Sequence, residues 1–286
     1  MKHVDEYYAI GVQHRADGKP CQDHALSGYD ADDNVYVSIA DGCSGGGATD
    51  MGARIVNYAT VQALKNMILW HRHHDVISGV VTDVASQRLL TIDRVHRELH
   101  MQYNDLLATN IYALSVKNYT YVHVVGDGVV AVVAVDGSID VWRYLWADNT
   151  PYYPAYDLGR QEQFILAHGG DGAQTRLTQE QWVIDPVGAV KPVAVKNHTI
   201  AQGMRGVTID LSERVKDDLV KSITIFSDGA ELVDGLSWSD VVSQSVAYKN
   251  VKGAFVKRRM MRLIKDVSRE HRGPLDDIAC ATIHFS

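Results

Sequence analysis

The chain has 286 residues, with 28 Lys+Arg against 35 Asp+Glu and a formal charge of −7. Apolar residues at 46% and charged residues at 22% exclude long disorder, and the length allows one large domain or two small ones. The acidic balance speaks against a nucleic-acid binder. The longest apolar run, residues 129–135, is far too short to span a bilayer. Three cysteines (Cys21, Cys43, Cys280) cannot close a disulfide framework, and residues 1–6 are charged early with no apolar signal core. The expectation is a cytoplasmic globular protein that binds neither nucleic acid nor membrane.

In chain order, residues 35–40 form an apolar, β-branched run into Asp41-Gly42, the pattern of a buried strand ending in a polar loop. Residues 50–70 repeat Val56, Ala59, Ala63 and Met67 at helical spacing, and residues 75–106 do the same with Ala85, Leu89, Ile92, His96 and Leu99. Residues 121–125 run into Gly126-Asp127-Gly128. Runs 129–135 and 138–142 flank Asp136-Gly137, which predicts a two-residue hairpin turn and hence antiparallel sheets. From 144 to 205 prolines, glycines and tyrosines mix with strand-like pieces at 163–167 and 181–184, which reads as an irregular, flap-like insert. Residues 223–227 lead into Asp228-Gly229. Ser239 is placed to cap a short helix, residues 254–269 read as another, and Gly273-Pro274 stops it. A last strand over 278–283 follows Asp276-Asp277. No repeat or linker stands out, so residues 1–286 read as a single α+β domain.

Carboxylates recur at the ends of these runs: Asp23, Asp41, Asp127, Asp228 and Asp276. Any single Asp-Gly is ordinary turn chemistry. Several strand-terminal aspartates converging at one end of a sheet would repel unless cations sat between them. Hard oxygens without clustered thiolates or imidazoles suit Mg²⁺ or Mn²⁺ rather than zinc. Two such ions can share a bridging water, lower its pKa and aim it at phosphorus.

In this order the residues resemble the metal-dependent protein serine/threonine phosphatases of type 2C, in a bacterial-type branch. Residues 11–23, closing in Gln22-Asp23, look like the opening motif. Ala40-Asp41-Gly42 with Gly45-Gly46-Gly47 resembles Asp-Gly-His-Gly-Gly. Gly126-Asp127-Gly128, Ser227-Asp228-Gly229 and Asp276-Asp277-Ile278 resemble the later Gly-Asp, Ser-Asp-Gly and Asp-Asn motifs. The resemblance implies a four-layer αββα sandwich of two antiparallel sheets flanked by helices. It implies a phosphoprotein substrate and two Mn²⁺ or Mg²⁺ ions, with a weaker third. By the same resemblance Asp41 bridges both ions and the Gly42 carbonyl binds one of them. Asp228 and Asp276 bind the other, Asp23 holds outer-shell waters, and Asp127 with Asp228 forms the weaker site. Asp41, Asp228 and Asp23 are thereby the catalytic candidates.

Three departures stand out. Cys43 falls at the family's histidine, and a thiol is a poorer general acid than imidazole. Asp277 replaces the usual Asn, adding charge beside a metal site. The phosphate-gripping arginine is not at its usual distance, which leaves Arg15 or His14 for that role. Other signals are weaker. Asp30-Ala31-Asp32-Asp33-Asn34 begins like a calcium loop but puts Val35 where glycine is required, so a polar hairpin loop is expected. His71-Arg72-His73-His74-Asp75 reads as a solvated helix end. Lys257, Arg258, Arg259, Arg262 and Lys265 read as a solvated basic face. Trp142, Tyr144, Trp146, Tyr152, Tyr153 and Tyr156 read mainly as core. An N-terminal nucleophile hydrolase is set aside because Met1-Lys2-His3 supplies no nucleophile. Two readings remain: a phosphatase, or a degenerate phosphatase fold serving as a phosphoprotein-binding or regulatory module.

Overall fold

A computed structural model describes residues 1–71 and 79–286. The chain runs β1 (Lys2–Ala9), α1 (Val12–Ala16), β2 (Asp23–Tyr29), β3 (Val35–Asp41), α2 (Thr49–His71) and α3 (Val80–Glu98). It continues through β4 (Asn110–Val116), β5 (Tyr119–Val125), β6 (Gly128–Ala134), β7 (Ile139–Trp146), α4 (Gln161–Ala167), β8 (Thr175–Ile184) and β9 (Val190–Thr199). It closes with α5 (Ile200–Met204), β10 (Val207–Asp210), α6 (Ser212–Lys216), β11 (Val220–Phe226), α7 (Trp238–Ser245), α8 (Phe255–Val267) and β12 (Ile278–Phe285).

The strands form a seven-stranded sheet, β1-β12-β11-β6-β7-β8-β9, and a five-stranded sheet, β10-β5-β4-β3-β2, with antiparallel pairing throughout. Strand β6 shows why its sequence is continuously apolar. Val130 and Val132 point into the core between the sheets. Val129, Ala131 and Val133 pack on the other face against Val241 and Val242 of α7 and Phe255, Met260 and Leu263 of α8. A strand covered on both faces has no solvent side to make polar. Strand β4 does the same in the second sheet, with Ile111 and Ala113 inward and Tyr112 and Leu114 under Leu64 of α2 and Val84 of α3. The result is a helix–sheet–sheet–helix sandwich, as the family resemblance implies.

Several expectations need correction. The α2 stripe of Val56, Ala59, Ala63 and Met67 is buried as expected. Helix α3 instead buries Val80, Val84, Arg88 and Ile92, while Leu99 is exposed. An apolar-only reading passes over Arg88, whose guanidinium donates to Asn110 Oδ1 at 2.9 Å. The helix ends at Glu98 rather than 106, and a separate 3₁₀ turn spans Tyr103–Leu106. The helix connection at His73-His74, and most of the histidine-rich run, lie outside the described residues.

Residues 163–167 belong to a helix, not a strand. Four apolar residues in a row fit either period, and here Phe164 is buried while Leu166 is exposed. The cap of α7 is Ser237, which accepts the Asp240 N–H, rather than Ser239. The β6–β7 turn is wider than the two residues expected, with three residues, 135–137, enclosed by the Ala134–Ser138 hydrogen bond. Ala134 N–H donates to Ser138 O at 2.8 Å, and Gly137 adopts φ +91°. The stretch 144–205 is more regular than its composition suggests, because two ten-residue strands, β8 and β9, extend the larger sheet.

Candidate metal centre

Five carboxylates arrive at one end of the sandwich from both sheets. Strand β2 opens with Asp23 directly opposite Asp41, the last residue of β3. Asp127 precedes β6, Asp228 follows β11, and Asp276 precedes β12, three strands that are neighbours in the larger sheet. Asp41, Asp127, Asp228 and Asp276 line a single recess of about 100 Å³ together with Gly42. At Gly42 a Cβ would come within 2.6 Å of the Thr49 carbonyl oxygen, so only glycine lets the backbone through here. Asp23 lies behind the recess, 1% exposed, with the Ser227 hydroxyl donating to its Oδ2 at 2.6 Å.

The electrostatics are unfavourable for the protein alone. Burial raises the pKa of Asp41 well above the carboxyl range, and Asp23, Asp228 and Asp127 raise it further. Asp23 is raised by burial and by Asp228 and Asp277, against the Ser227 hydrogen bond. Asp127 and Asp228 are raised by burial first and then by neighbouring carboxylates. Asp23 Oδ1 is buried with no hydrogen-bond partner. No Lys, Arg or His lines the recess among the described residues. An orphaned buried oxygen within an all-oxygen donor set fits a hard divalent cation.

Neither candidate for gripping substrate phosphate reaches this recess. His14 is 6% exposed and turns inward, its Nδ1 3.0 Å from Asp277 Oδ2. Arg15 is exposed and donates to the Ile10 carbonyl at 3.3 Å. Asp277 does not line the recess, but its charge is added to the cluster as expected, through Asp23. His14, Asp276 and Asp277 bring one ligand atom each within 4.8 Å of one another. Yet Asp277 Oδ2 already accepts the Gln22 N–H at 2.5 Å, and Asp276 Oδ1 the Asp277 N–H at 2.8 Å. That trio reads as a hydrogen-bonded junction rather than a second cation site. Asp30 accepts from the backbone of Asp32 and Asn34, the polar loop expected in place of a calcium site.

Residues that sequence reasoning missed are Thr109, Ser44, Asn149 and Pro151, all on the recess wall. Thr109 Oγ1 accepts the Asp41 N–H at 3.3 Å, and its own N–H donates to the Asp41 carbonyl at 2.8 Å. Its only signal was a polar pair, Thr109-Asn110, heading an apolar strand. Cys43 lines the recess as expected, beside Tyr153, which the sequence placed among core aromatics. The Tyr153 phenol is pushed up by burial, then by Cys43, Asp127 and Asp41.

The sequence profile of protein phosphatase 2C matches residues 10–264. The chain belongs to the protein phosphatase 2C family. No curated protein sequence is similar enough to count as a relative. Solved structures of similar fold include the S. agalactiae serine/threonine phosphatase (TM-score 0.51, 16% identity, 100% of both chains covered). Another is the Mycobacterium tuberculosis serine/threonine phosphatase PstP/Ppp (0.52, 14%, 100% of this chain and 99% of that one). A third is Stp1 from Staphylococcus aureus (0.55, 12%, 100% and 96%). This type 2C phosphatase chain therefore keeps the family's sandwich at low sequence identity. No helix among its described residues is long and apolar enough to cross a membrane.

Proposed function

We propose that this protein releases phosphate from phosphoserine and phosphothreonine side chains of proteins, using two Mn²⁺ or Mg²⁺ ions. One observation carries the reading: four buried or partly buried carboxyls from distant strand ends converge with no basic side chain on the recess wall among the described residues. In this reading Asp41 would hold both ions, the Gly42 carbonyl would hold one of them, and Asp228 and Asp276 would hold the other. Asp23, backed by Ser227, orients water from behind, and Asp127 with Asp228 forms a weaker third site. Bound there, the cations would supply an activated water nucleophile and neutralise phosphoryl charge.

The chain's own residues do the rest. Asp23 is shielded from bulk water, and the β2–β3 pairing keeps its carboxyl opposed to that of Asp41. Because no basic side chain lines the recess, grip on the phosphate falls to the cations and neutral donors around Ser44. The Cys43 thiol, beside Tyr153 on the recess wall, takes the position of the family's histidine. The test is phosphate release from a phosphothreonine peptide in Mn²⁺ and in chelator. Metal-dependent release is expected. The second reading, a phosphopeptide-binding module, is favoured by the withdrawal of His14 and Arg15. Tight phosphopeptide binding with no release at any metal concentration would put it in place of the first.

A further inference from the structure

Asp277, which does not line the recess, is a heavily engaged carboxylate. It is 3% exposed. Its Oδ1 accepts the Gly11 N–H at 2.7 Å and its Oδ2 the Gln22 N–H at 2.5 Å. His14 Nδ1, buried and without a hydrogen-bond partner of its own, faces the same Oδ2 at 3.0 Å. Three groups from residues 11–22 thus converge on one side chain at the start of β12.

We propose that Asp277 is a positioning residue, a clamp that sets the carboxylates of the recess relative to one another. The clamp leads to the recess by three short routes. The Asp277 N–H donates to Asp276 Oδ1 at 2.8 Å, fixing that carboxylate. Gln22 is the residue before Asp23, and its carbonyl accepts the Gly42 N–H at 3.1 Å. The Gln22 side chain donates to Thr49 Oγ1 at 2.8 Å, tying in the start of α2. Helix α1 is seated on the same loop through Val12 N–H to Pro274 O at 2.9 Å and Gln13 N–H to Leu275 O at 3.1 Å. At Gly11 a Cβ would come within 2.2 Å of the Asp276 carbonyl carbon, so α1 packs at backbone distance.

The chemistry requires a carboxylate. Two backbone N–H groups take one oxygen each, and an Asn amide would present its own N–H₂ to one of them. The side chain at 277 is therefore matched to His14 and the two amides, rather than interchangeable with Asn. The proposal rests on the metal reading above, and the test separates the two. Mn²⁺ affinity of the full chain is measured by calorimetry for wild type, Asp277→Asn, His14→Gln and Asp41→Asn. Melting curves and the Mn²⁺ dependence of turnover accompany it. Asp277→Asn is expected to weaken Mn²⁺ binding about 10- to 100-fold, as loss of a partner behind a metal ligand does. The loss is expected in metal half-saturation more than in kcat, a split that a general loss of fold would not give. His14→Gln, which keeps the clamp's two amide bonds, is expected to shift affinity in the same direction by less. If Asp277→Asn binds Mn²⁺ like wild type while Asp41→Asn does not, the clamp is wrong and the metal reading stands. If Asp277→Asn fails to fold, unchanged affinity in His14→Gln overturns the clamp. If wild type binds no Mn²⁺, both fall together.

Discussion

Two acidic regions of the protein solve the same problem in opposite ways. Glu180 and Glu231, both partly buried, share Arg143, which donates to them at 2.8 and 2.6 Å and lies over the Trp238 ring at 5.0 Å. Asp23 and Asp127 are buried, Asp41 and Asp228 partly so, and no Lys, Arg or His among the described residues lines the recess they surround. Glu231 is three residues beyond Asp228, so the contrast is drawn within one turn of chain. A fold that supplies an arginine to one acidic group and none to its neighbour keeps the second available for a cation from solution.

The largest expected effect breaks the uncompensated side. Asp41→Asn and Asp228→Asn are each expected nearly to abolish metal-dependent phosphate release, because a lost carboxylate weakens cation binding and raises the pKa of bound water together. In chelator the same variants are expected to melt higher than wild type, by something on the order of 1–2 kcal/mol, the scale of one pKa unit. Initial rates at saturating Mn²⁺ and melting curves in chelator check the pair. A variant that loses activity and also melts lower without metal would mean the carboxylates are not in conflict.

Acidity sharpens the contrast further. The four carboxyls have folded pKa values raised by burial and mutual repulsion. Their contribution to stability is present in full below the unfolded carboxyl pKa of about 3.9 and is lost as pH rises through the folded values. Buried His123, pushed down to about 3, works the other way, contributing above its unfolded pKa of about 6.5 and losing it as pH falls. Total stability mixes the two, but the gain on adding Mn²⁺ isolates the carboxylates. That gain is expected to grow from pH 5.5 to 7.5, reaching about 2.7 kcal/mol at a hundredfold excess over the dissociation constant. A gain independent of pH would contradict the shared site.

Much of this was open to reading before any coordinates. Strand-terminal Asp41, Asp127, Asp228 and Asp276 were legible because each ends or begins an apolar run, and such runs must bury both faces in a covered sheet. Arg88 and His14 were not, because a charged or ring side chain in a periodic stripe carries no mark that the fold will bury it. Helix α4 was misread because four apolar residues in a row are too few to tell a period of 3.6 from one of 2. Tyr153 joined the recess through a segment whose path, Asn149 and Pro151 included, depends on tertiary packing rather than local pattern. Asp277 was legible as an added charge, which bears on Asp23, but the two amides that converge on it were not.

Arg143→Ala attacks the compensated side and is expected to do less than Asp41→Asn to turnover but more to stability. It leaves Glu180 and Glu231 facing each other without their shared partner and removes the contact with Trp238. A loss of about 2 kcal/mol is expected, between the values for exposed and fully buried pairs. Urea unfolding in chelator and in Mn²⁺ checks it. An equal loss in both solvents is expected, because Arg143 is not on the recess wall.

The smallest effect belongs to Cys43. It lines the recess at the family's histidine position, with Tyr153 on the same wall. A neutral thiol is a weak proton donor, so Cys43→Ala is expected to keep most of the turnover that Asp41→Asn loses. Cys43→His tests the converse. If the leaving alkoxide is otherwise protonated only from water, an imidazolium at this position raises kcat by about tenfold, the low end of what general acids contribute once imperfect placement is allowed for. The rise is expected on the acid side of the pH profile, where the introduced ring is protonated, and is read from kcat on a phosphothreonine peptide at saturating Mn²⁺. A Cys43→Ala protein that folds and binds Mn²⁺ yet is as inactive as Asp41→Asn would give the thiol a direct part in catalysis. A Cys43→His protein with unchanged kcat at every pH would mean that protonation of the leaving group does not limit turnover.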